Sequence, residues 1–487
     1  MNTELIVFIV YLTFMLSIGV YFYVKTRSGG EKEYFLGGRK MGPWVSALSA
    51  GASDMSAWSL MGLPGSIYFF GIGKIWIAIG LAIGYALSWI FEAPRLRRYS
   101  IAAKDSITIP QYLTNRFLSK SRSMQVICAV IFLVAYTIYA ASSISACGTL
   151  FETIVGVPST TAMYIAAAVI VSYTFLGGFS AVCWTDFFQG MLMLGALLIA
   201  PIFALNMIEA GQSIDAPAGG SYWKLFTSWT DIASGLGWGL GYFGMPHIII
   251  RFMSVRSDKD IKKSAGIGIT WTLLILGFAV AAGIVTHLMG SQIAAATEKE
   301  SETVFIQMVR LIFPPVISGV LLSAILAASM STADSQLLAS ASAFASDVYK
   351  PILREGKAED AEMFWIGRLV VLIVALAALL IATNPASGTI MSLVSNAWGV
   401  FGAAFGPVIL LSLFWRRLTF KGAVAGIVTG AAVDILWFIA MSYTGLYEII
   451  PGFLMGLAAA LIVSWLDKAP DQNVTALFDK VASKQEI

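Results

Sequence analysis

The sequence predicts an all-α polytopic membrane protein, and three observations carry that prediction. Of its 487 residues, 58% are hydrophobic and only 12% are charged, about half the 25% or so of a soluble domain. The mean hydropathy is +0.79. The apolar residues fall into about thirteen runs, each long enough on the scale of the 20 or so residues that a helix needs to cross a bilayer, and the ninth longer. The basic residues between them alternate: 27 of the 31 Lys and Arg lie in every second connection, and only Lys74, Lys224, Lys299 and Arg310 lie in the others. That is a positive-inside pattern, which puts the N-terminus outside and the C-terminus inside. The same composition excludes a disordered chain, a collagen, a coiled coil and a secreted disulfide scaffold. A net charge of +3 is too small to call for nucleic acid.

The first run, 4–25, follows Glu4 instead of a basic segment, and Lys25 and Arg27 come after it with no small-residue cleavage site. It reads as a retained helix entering from outside, not as a cleaved leader. The second, 42–69, carries Asp54 within SALSAGASDMSAWSLMGLPG (Ser46 to Gly65). The runs at 72–92, 124–151, 159–176 and 186–208 are ordinary in length and content. The seventh, 232–250, contains GLGWGLGYFGMPH (Gly235 to His247), with five glycines and a proline. Next comes 266–289, and then 305–346, long enough to be a span plus a second element. The last four runs are 363–383, 388–415, 421–442 and 446–466.

The second and seventh runs are five spans apart and therefore oppositely oriented. A matched pair of Gly/Pro-interrupted apolar segments in two halves points to the binding site of a secondary transporter built on an inverted repeat; glycine clusters that only allow close helix packing are the alternative. An Asp at a helix centre costs about 2.5–3.5 kcal/mol in the bilayer, so each one asks for a partner. The intramembrane acids are Asp54, Asp186, Asp334 and Asp434. Asp54 in the interrupted span and Ser331-Thr332-Ala333-Asp334-Ser335 in the ninth offer hard oxygen ligands of the kind Na+ takes, and unwound backbone at Ala52 to Met55 adds carbonyls. The alternative for Ser331 and Thr332 is a back-bond to the i−4 carbonyl, and for Asp186 a helix N-cap. Asp434 reads as a structural polar contact, and Arg251 and Arg256 as topology anchors. Cys128, Cys147 and Cys183 fall in apolar segments and read as packing residues, while His247 and His287 lack metal-ligand spacing. No nucleophile–histidine pairing is visible, so the chain does not read as an enzyme. Trp238, Tyr242 and Tyr139 lie among small residues, where an aromatic wall suits an apolar ring and an amine.

The stretches YFLGGR (Tyr34 to Arg39), GASDMSAW (Gly51 to Trp58), WTD (Trp184 to Asp186), GWGLGYFGMPH (Gly237 to His247), LSAILAASMST (Leu322 to Thr332) and GLYEIIPGF (Gly445 to Phe453) closely resemble the sodium/proline branch of the sodium:solute symporter family, over nearly the whole chain. The resemblance implies a leucine-transporter-like core of two inverted five-helix repeats. The corresponding division is 1–41, an extra helix and inner loop; 42–208, the first repeat; 209–231, an outer loop; 232–415, the second repeat; 416–466, two extra helices; and 467–487, a cytoplasmic tail. It implies Na+ held by carbonyls of Ala52, Met55 and Ala328 and hydroxyls of Ser331 and Thr332. L-proline is expected beside it, near Asp54, Ser56, Ala57, Trp58, Tyr139, Trp238, Tyr242 and Pro246, with Asp54 supporting the ion site. Ala57 stands where glycine is usual, and Asp334 where serine is common. Other members bind a second Na+ in this region, so Asp186, Ser331, Asp334 and Ser335 are expected to form a weak second cation site. The function implied is Na+-coupled uptake of L-proline across a bacterial plasma membrane by alternating access, with lipid as the surrounding partner. Another amino acid or pantothenate as the solute, or a cation channel, are the alternatives.

Overall fold

The computed structural model describes residues 3–26, 31–176, 178–208 and 215–483. Arg27, residues 209–214 of the expected outer loop, and Lys484 lie outside the described residues. Among the described residues the chain is helical, with two isolated β-bridges, Met41 with Val255 and Asp215 with Ser221.

Helix α1 spans Thr3–Thr26. The second run forms α2, Pro43–Asp54, and α3, residues 58–70. Then come α4 (Ile72–Ala102), the short α5 (Ile109–Arg116), α6 (Ser123–Val155), α7 (Ser159–Leu176) and α8 (Phe179–Ala204). The seventh run forms α9, residues 229–243, and α10, Pro246–Ser254. After α11 (Asp258–Leu288) come α12 (Val304–Ile312) and α13 (Pro315–Leu353). The chain continues through α14 (Asp360–Ala382), α15 (Ile390–Phe414), α16 (Phe420–Met441), α17 (Ile449–Leu466) and α18 (Gln472–Ala482). Among the described residues, ten helices are long and apolar enough to cross a membrane. The second, fifth and seventh runs are not among those ten: the fifth is α7, with an apolar stretch of Ser159–Ser172, and the other two are broken. The long ninth run divides at Pro314 into α12 and α13.

Both breaks follow from the local sequence. After α2, Met55 leaves the helical region (φ −74, ψ 64), and the Ser56 amide donates to the Asp54 carbonyl at 2.8 Å instead of continuing the helix. Ser and Asp side chains compete for backbone groups and weaken a helix at such a point. In the seventh run the glycine-rich stretch tightens to a 3₁₀ turn from Trp238 to Phe243, Met245 is extended (φ −80, ψ 103), and α10 restarts with Pro246. Proline pushes the residue before it out of the α region, and glycine supplies little helix propensity to resist.

α2 occupies the centre, packed against α8, α10, α11 and α13, with every residue from Val45 to Asp54 buried. α4 and α9 meet along glycines: a Cβ on Gly80 would stand 2.7 Å from the Leu236 Cα, and one on Gly235 2.8 Å from the Trp76 carbonyl carbon. On the basic face Arg39, just before α2, ties the chain there to α10 and to the end of α4. Its guanidinium donates to the Met253 carbonyl at 2.6 Å, the Ser106 carbonyl at 2.8 Å, Ser100 Oγ at 3.1 Å and Asp105 Oδ1 at 2.9 Å. Burial opposes charge on Asp105, but the hydrogen bonds and ion pairs from Lys32 and Arg39 outweigh it and hold the carboxyl below the usual carboxylate range. α18 folds back on the same face, with Phe478 against Tyr99 and Asp479 paired with Arg416 at 2.8 Å.

Candidate functional site

The break after α2 leaves the Asp54 carbonyl without its helical donor, and side chains take that place. Trp58 Nε1 donates to it at 3.0 Å and the Tyr139 hydroxyl at 3.3 Å. The Asp54 carboxylate accepts the Tyr242 hydroxyl at 2.5 Å through Oδ2, while Oδ1 is buried with no hydrogen-bond partner among the described residues. Ser56 Oγ faces the Trp58 amide at 3.5 Å, and Trp58 lies 6.3 Å from Trp238, ring to ring. Asp54, Ser56, Trp58, Tyr139, Trp238 and Tyr242 therefore meet around one break, with Pro246 opening the second half-helix beside it. Ala57 is fully buried in an ordinary helical conformation (φ −51, ψ −22), so alanine there brings no backbone strain.

The ninth span reaches the same break from the other side. Ser331 Oγ donates to the Ala52 carbonyl of α2 at 2.8 Å and faces the Ala328 carbonyl of its own helix at 3.1 Å. The back-bond expected as the alternative is thus present as an i−3 contact, together with a contact across the two helices. Thr332 Oγ1 is buried without a partner among the described residues, and the Met55 carbonyl faces Ser59 Oγ at 3.3 Å. Ala52, Ala328 and Ser331 are joined directly, with Thr332 and Met55 one residue and one turn away. The set is made of carbonyl and hydroxyl oxygens, the donor chemistry of a hard monovalent cation.

Asp186, Asp334 and Ser335 gather one turn further along, around a side chain expected elsewhere. Asp186 is not an N-cap: α8 begins at Phe179, so Asp186 sits inside the helix. Nor is Arg251 a surface anchor. It is 2% exposed and pairs with the fully buried Asp186 at 3.0 Å. It also donates to Ser49 Oγ at 3.0 Å, to Ser335 Oγ at 2.6 Å and to the His247 carbonyl. Ser49 donates to Asp186 at 2.6 Å, and Ser335 to Asp334 Oδ1 at 3.2 Å. The physical reason is charge: a carboxylate inside the bundle needs a compensating cation, and α10 supplies one from within the chain. Arg256 does lie at the basic face, paired with Asp260 at 2.5 Å.

On the face opposite the basic one, a cavity of about 400 Å³ runs down to Trp238 and is lined by Asp231, Glu298, Ser395, Tyr447 and Glu448, among others. Trp238 is covered by Tyr447 (5.2 Å between ring centres) and Trp398 (6.3 Å), and the Trp398 indole N–H donates to the Trp238 carbonyl at 2.8 Å. Gly241 has to be glycine, because a Cβ there would overlap the Trp398 indole. Sequence reasoning missed Arg251, Trp398, Tyr447, and Tyr136, whose hydroxyl accepts the His247 amide at 2.8 Å. The one signal for Arg251 was an arginine inside the apolar string His247 to Met253. Tyr447 lies within the stretch GLYEIIPGF, but no role could be read there for it, and nothing marked Trp398 or Tyr136, since their roles depend on distant partners.

The chain matches the sodium:solute symporter family over residues 34–430. It is 45% identical over 474 residues to the high-affinity proline transporter PutP of Bacillus subtilis, covering 96% of this chain and 98% of that one. To the sodium/proline symporter of Escherichia coli it is 44% identical over 482 residues, covering 97% and 95%. To the osmoregulated proline transporter OpuE of Bacillus subtilis it is 42% identical over 488 residues, covering 98% of each. Among solved structures, a Na+-coupled sialic acid symporter in a substrate-bound outward-open state superposes with a TM-score of 0.79 at 21% identity, over 96% of this chain and 99% of that one.

Proposed function

The chain belongs to the sodium:solute symporter family, and from that premise we propose that it carries L-proline into the cell together with Na+ by alternating access. It is an integral membrane protein with bacterial relatives; the basic face is the cytoplasmic one, with the N-terminus outside and the C-terminus inside. The observation that carries the mechanism is the contact of Ser331 with the Ala52 carbonyl, which joins the ninth span to the broken second one through oxygen atoms alone. Na+ binds there to carbonyls of Ala52, Met55 and Ala328 and hydroxyls of Ser331 and Thr332. By bridging the two helices it fixes the break, and it thereby raises affinity for the solute, with the reverse effect equal by linkage.

Proline lies on the other side of the break. The start of α3 faces its carboxylate, as half-helix N-termini do in such folds, and Trp58, Tyr139, Trp238 and Tyr242 wall its ring and amine. Asp54 orients Tyr242 through its carboxylate and receives Tyr139 and Trp58 at its carbonyl. Asp186, Asp334 and Ser335 form a second, weaker cation site, at which the Arg251 guanidinium competes with the ion. The core comprises 42–208 and 232–415, linked by 209–231 and flanked by 1–41, 416–466 and 467–487. Inward movement of one Na+ charge supplies about 2.3 kcal/mol per 100 mV, or roughly a 40-fold gradient at about 1.4 kcal/mol per decade.

The test is uptake of labelled proline into proteoliposomes under a Na+ gradient. Ser331→Ala with Thr332→Ala is expected to raise the Na+ concentration for half-maximal uptake by about tenfold or more, since each lost buried hydrogen-bonding group costs about 1–3 kcal/mol. Unchanged Na+ dependence would overturn the ion site, and failure of unlabelled proline to compete while another solute does would overturn the choice of proline.

A further inference from the structure

The motif GLYEIIPGF carries residues that the mechanism above does not use. Its Glu448 meets Asp434 at Gly399: a Cβ on Gly399 would stand 2.8 Å from Asp434 Oδ1 and 3.4 Å from the Glu448 Cγ. Asp434 lies in mid-α16, 1% exposed, and its Oδ1 is without a hydrogen-bond partner among the described residues. Neither carboxyl takes part in an ion pair among the described residues. Glu448 also lines the 400 Å³ cavity that ends at Trp238. Two acids thus meet at a glycine that lets Asp434 approach, one of them reached from the cavity, whose one basic lining side chain, Lys74, pairs with Asp231 at 3.8 Å.

We propose that Asp434 and Glu448 form a further site for a monovalent cation, Na+ in this protein, beside the cavity and separate from both the Ala52–Ser331 site and the Asp186–Asp334 group. A buried carboxylate stays charged only beside a compensating cation, carboxylate oxygens are hard ligands, and the cavity that Glu448 lines supplies water to complete the shell. The neighbourhood gives the station a role. Trp398 precedes Gly399 and holds the Trp238 carbonyl, and Tyr447 precedes Glu448, packs on Trp238 and donates to the Ser395 carbonyl at 2.7 Å. An ion drawing Asp434 and Glu448 together fastens these two aromatic residues over Trp238, so occupancy steadies the cover of the substrate site. Only the identity of the ion rests on the Na+-coupled reading.

Equilibrium binding of ²²Na+ to the purified protein without proline tests this. Ser331→Ala with Thr332→Ala is expected to retain a binding component that Asp434→Asn or Glu448→Gln removes, with thermal unfolding confirming that each variant is folded. In the unsubstituted protein, modification of Glu448 by a hydrophobic carbodiimide, read by peptide mass, is expected to slow at least severalfold in NaCl relative to choline chloride. The same slowing is expected in the Ser331/Thr332 variant. Equal ²²Na+ binding in Asp434→Asn and the parent, or a modification rate indifferent to Na+, would overturn the proposal and leave the pair sharing a proton. Loss of all binding in the Ser331/Thr332 variant would overturn it too, while leaving the central site intact as an idea.

Discussion

Replacing Arg251 with Met removes a cation from the middle of the bundle. The guanidinium lies 2% exposed against a fully buried Asp186 and gives hydrogen bonds to Ser49, His247, Asp186 and Ser335. Without it, Asp186 keeps a single donor, Ser49. Removing one partner of a buried ion pair costs about 3–5 kcal/mol, because the other charge stays behind. In the double variant Arg251→Met with Asp186→Asn no charge is stranded, and the loss falls to about 1–3 kcal/mol from hydrogen bonds alone. If Asp186, Asp334 and Ser335 hold a cation once the guanidinium is gone, Na+ at 100 times its dissociation constant returns about 2.7 kcal/mol to the single variant and much less to the double. Thermal unfolding of the purified proteins in NaCl and in choline chloride of equal ionic strength reads all of this. The expected order in choline is parent, double, single, with NaCl raising the single variant more than the double. A single variant as stable as the double in choline would refute the compensation argument. Equal effects of NaCl on both would refute the cation site.

Three further outcomes are expected. Tyr242→Phe removes the hydroxyl that Asp54 Oδ2 accepts and should raise the half-saturating proline concentration about tenfold, at roughly 1–3 kcal/mol for a buried carboxyl left unpaired, with little change in the Na+ requirement; uptake kinetics check it. Gly241→Ala should sharply reduce proline uptake, because its methyl overlaps the Trp398 indole; normal uptake at unchanged stability would contradict the packing. Asp105 is held below its ordinary value, so its stabilising contribution is present above about pH 4 and fades as the pH falls through the lowered value. Asp105→Asn should therefore be less stable than the parent at pH 7, and the difference should shrink in acid, as read from unfolding midpoints.

Much of this arrangement is legible in the sequence, because the bilayer simplifies the problem. Run lengths and the alternation of basic residues located the helices, and Pro246 with its five glycines located one break. The other break was legible from Asp54 among serines, since a polar group in an apolar run needs a reason to be there, but it begins at Met55 and not at Ala52, which stays helical. What stayed hidden depends on pairing between remote segments. Arg251 and Asp186 are 65 positions apart, and nothing in either neighbourhood names the other. Trp398 and Tyr447 look like any belt aromatic until α15 and the turn before α17 bring them over Trp238. The start of α8 was misplaced for a related reason: Phe179 to Thr185 is a mixed stretch, buried in the bundle except for Trp184, and its helicity is not legible from its hydropathy.

The glycine contacts between α4 and α9 have a mechanical meaning. Backbone lies on backbone there, without the compliant layer of side chains that lets neighbouring helices slide. The two helices consequently behave as one stiff lever, and the chain's freedom to bend is displaced to its end, at Met245, where the helix has stopped and α10 has yet to begin. A distance probe spanning α4 and α9 should stay constant through the transport cycle, whereas one spanning α9 and α10 should change, so the hinge is set by where glycine stops as much as by where proline starts.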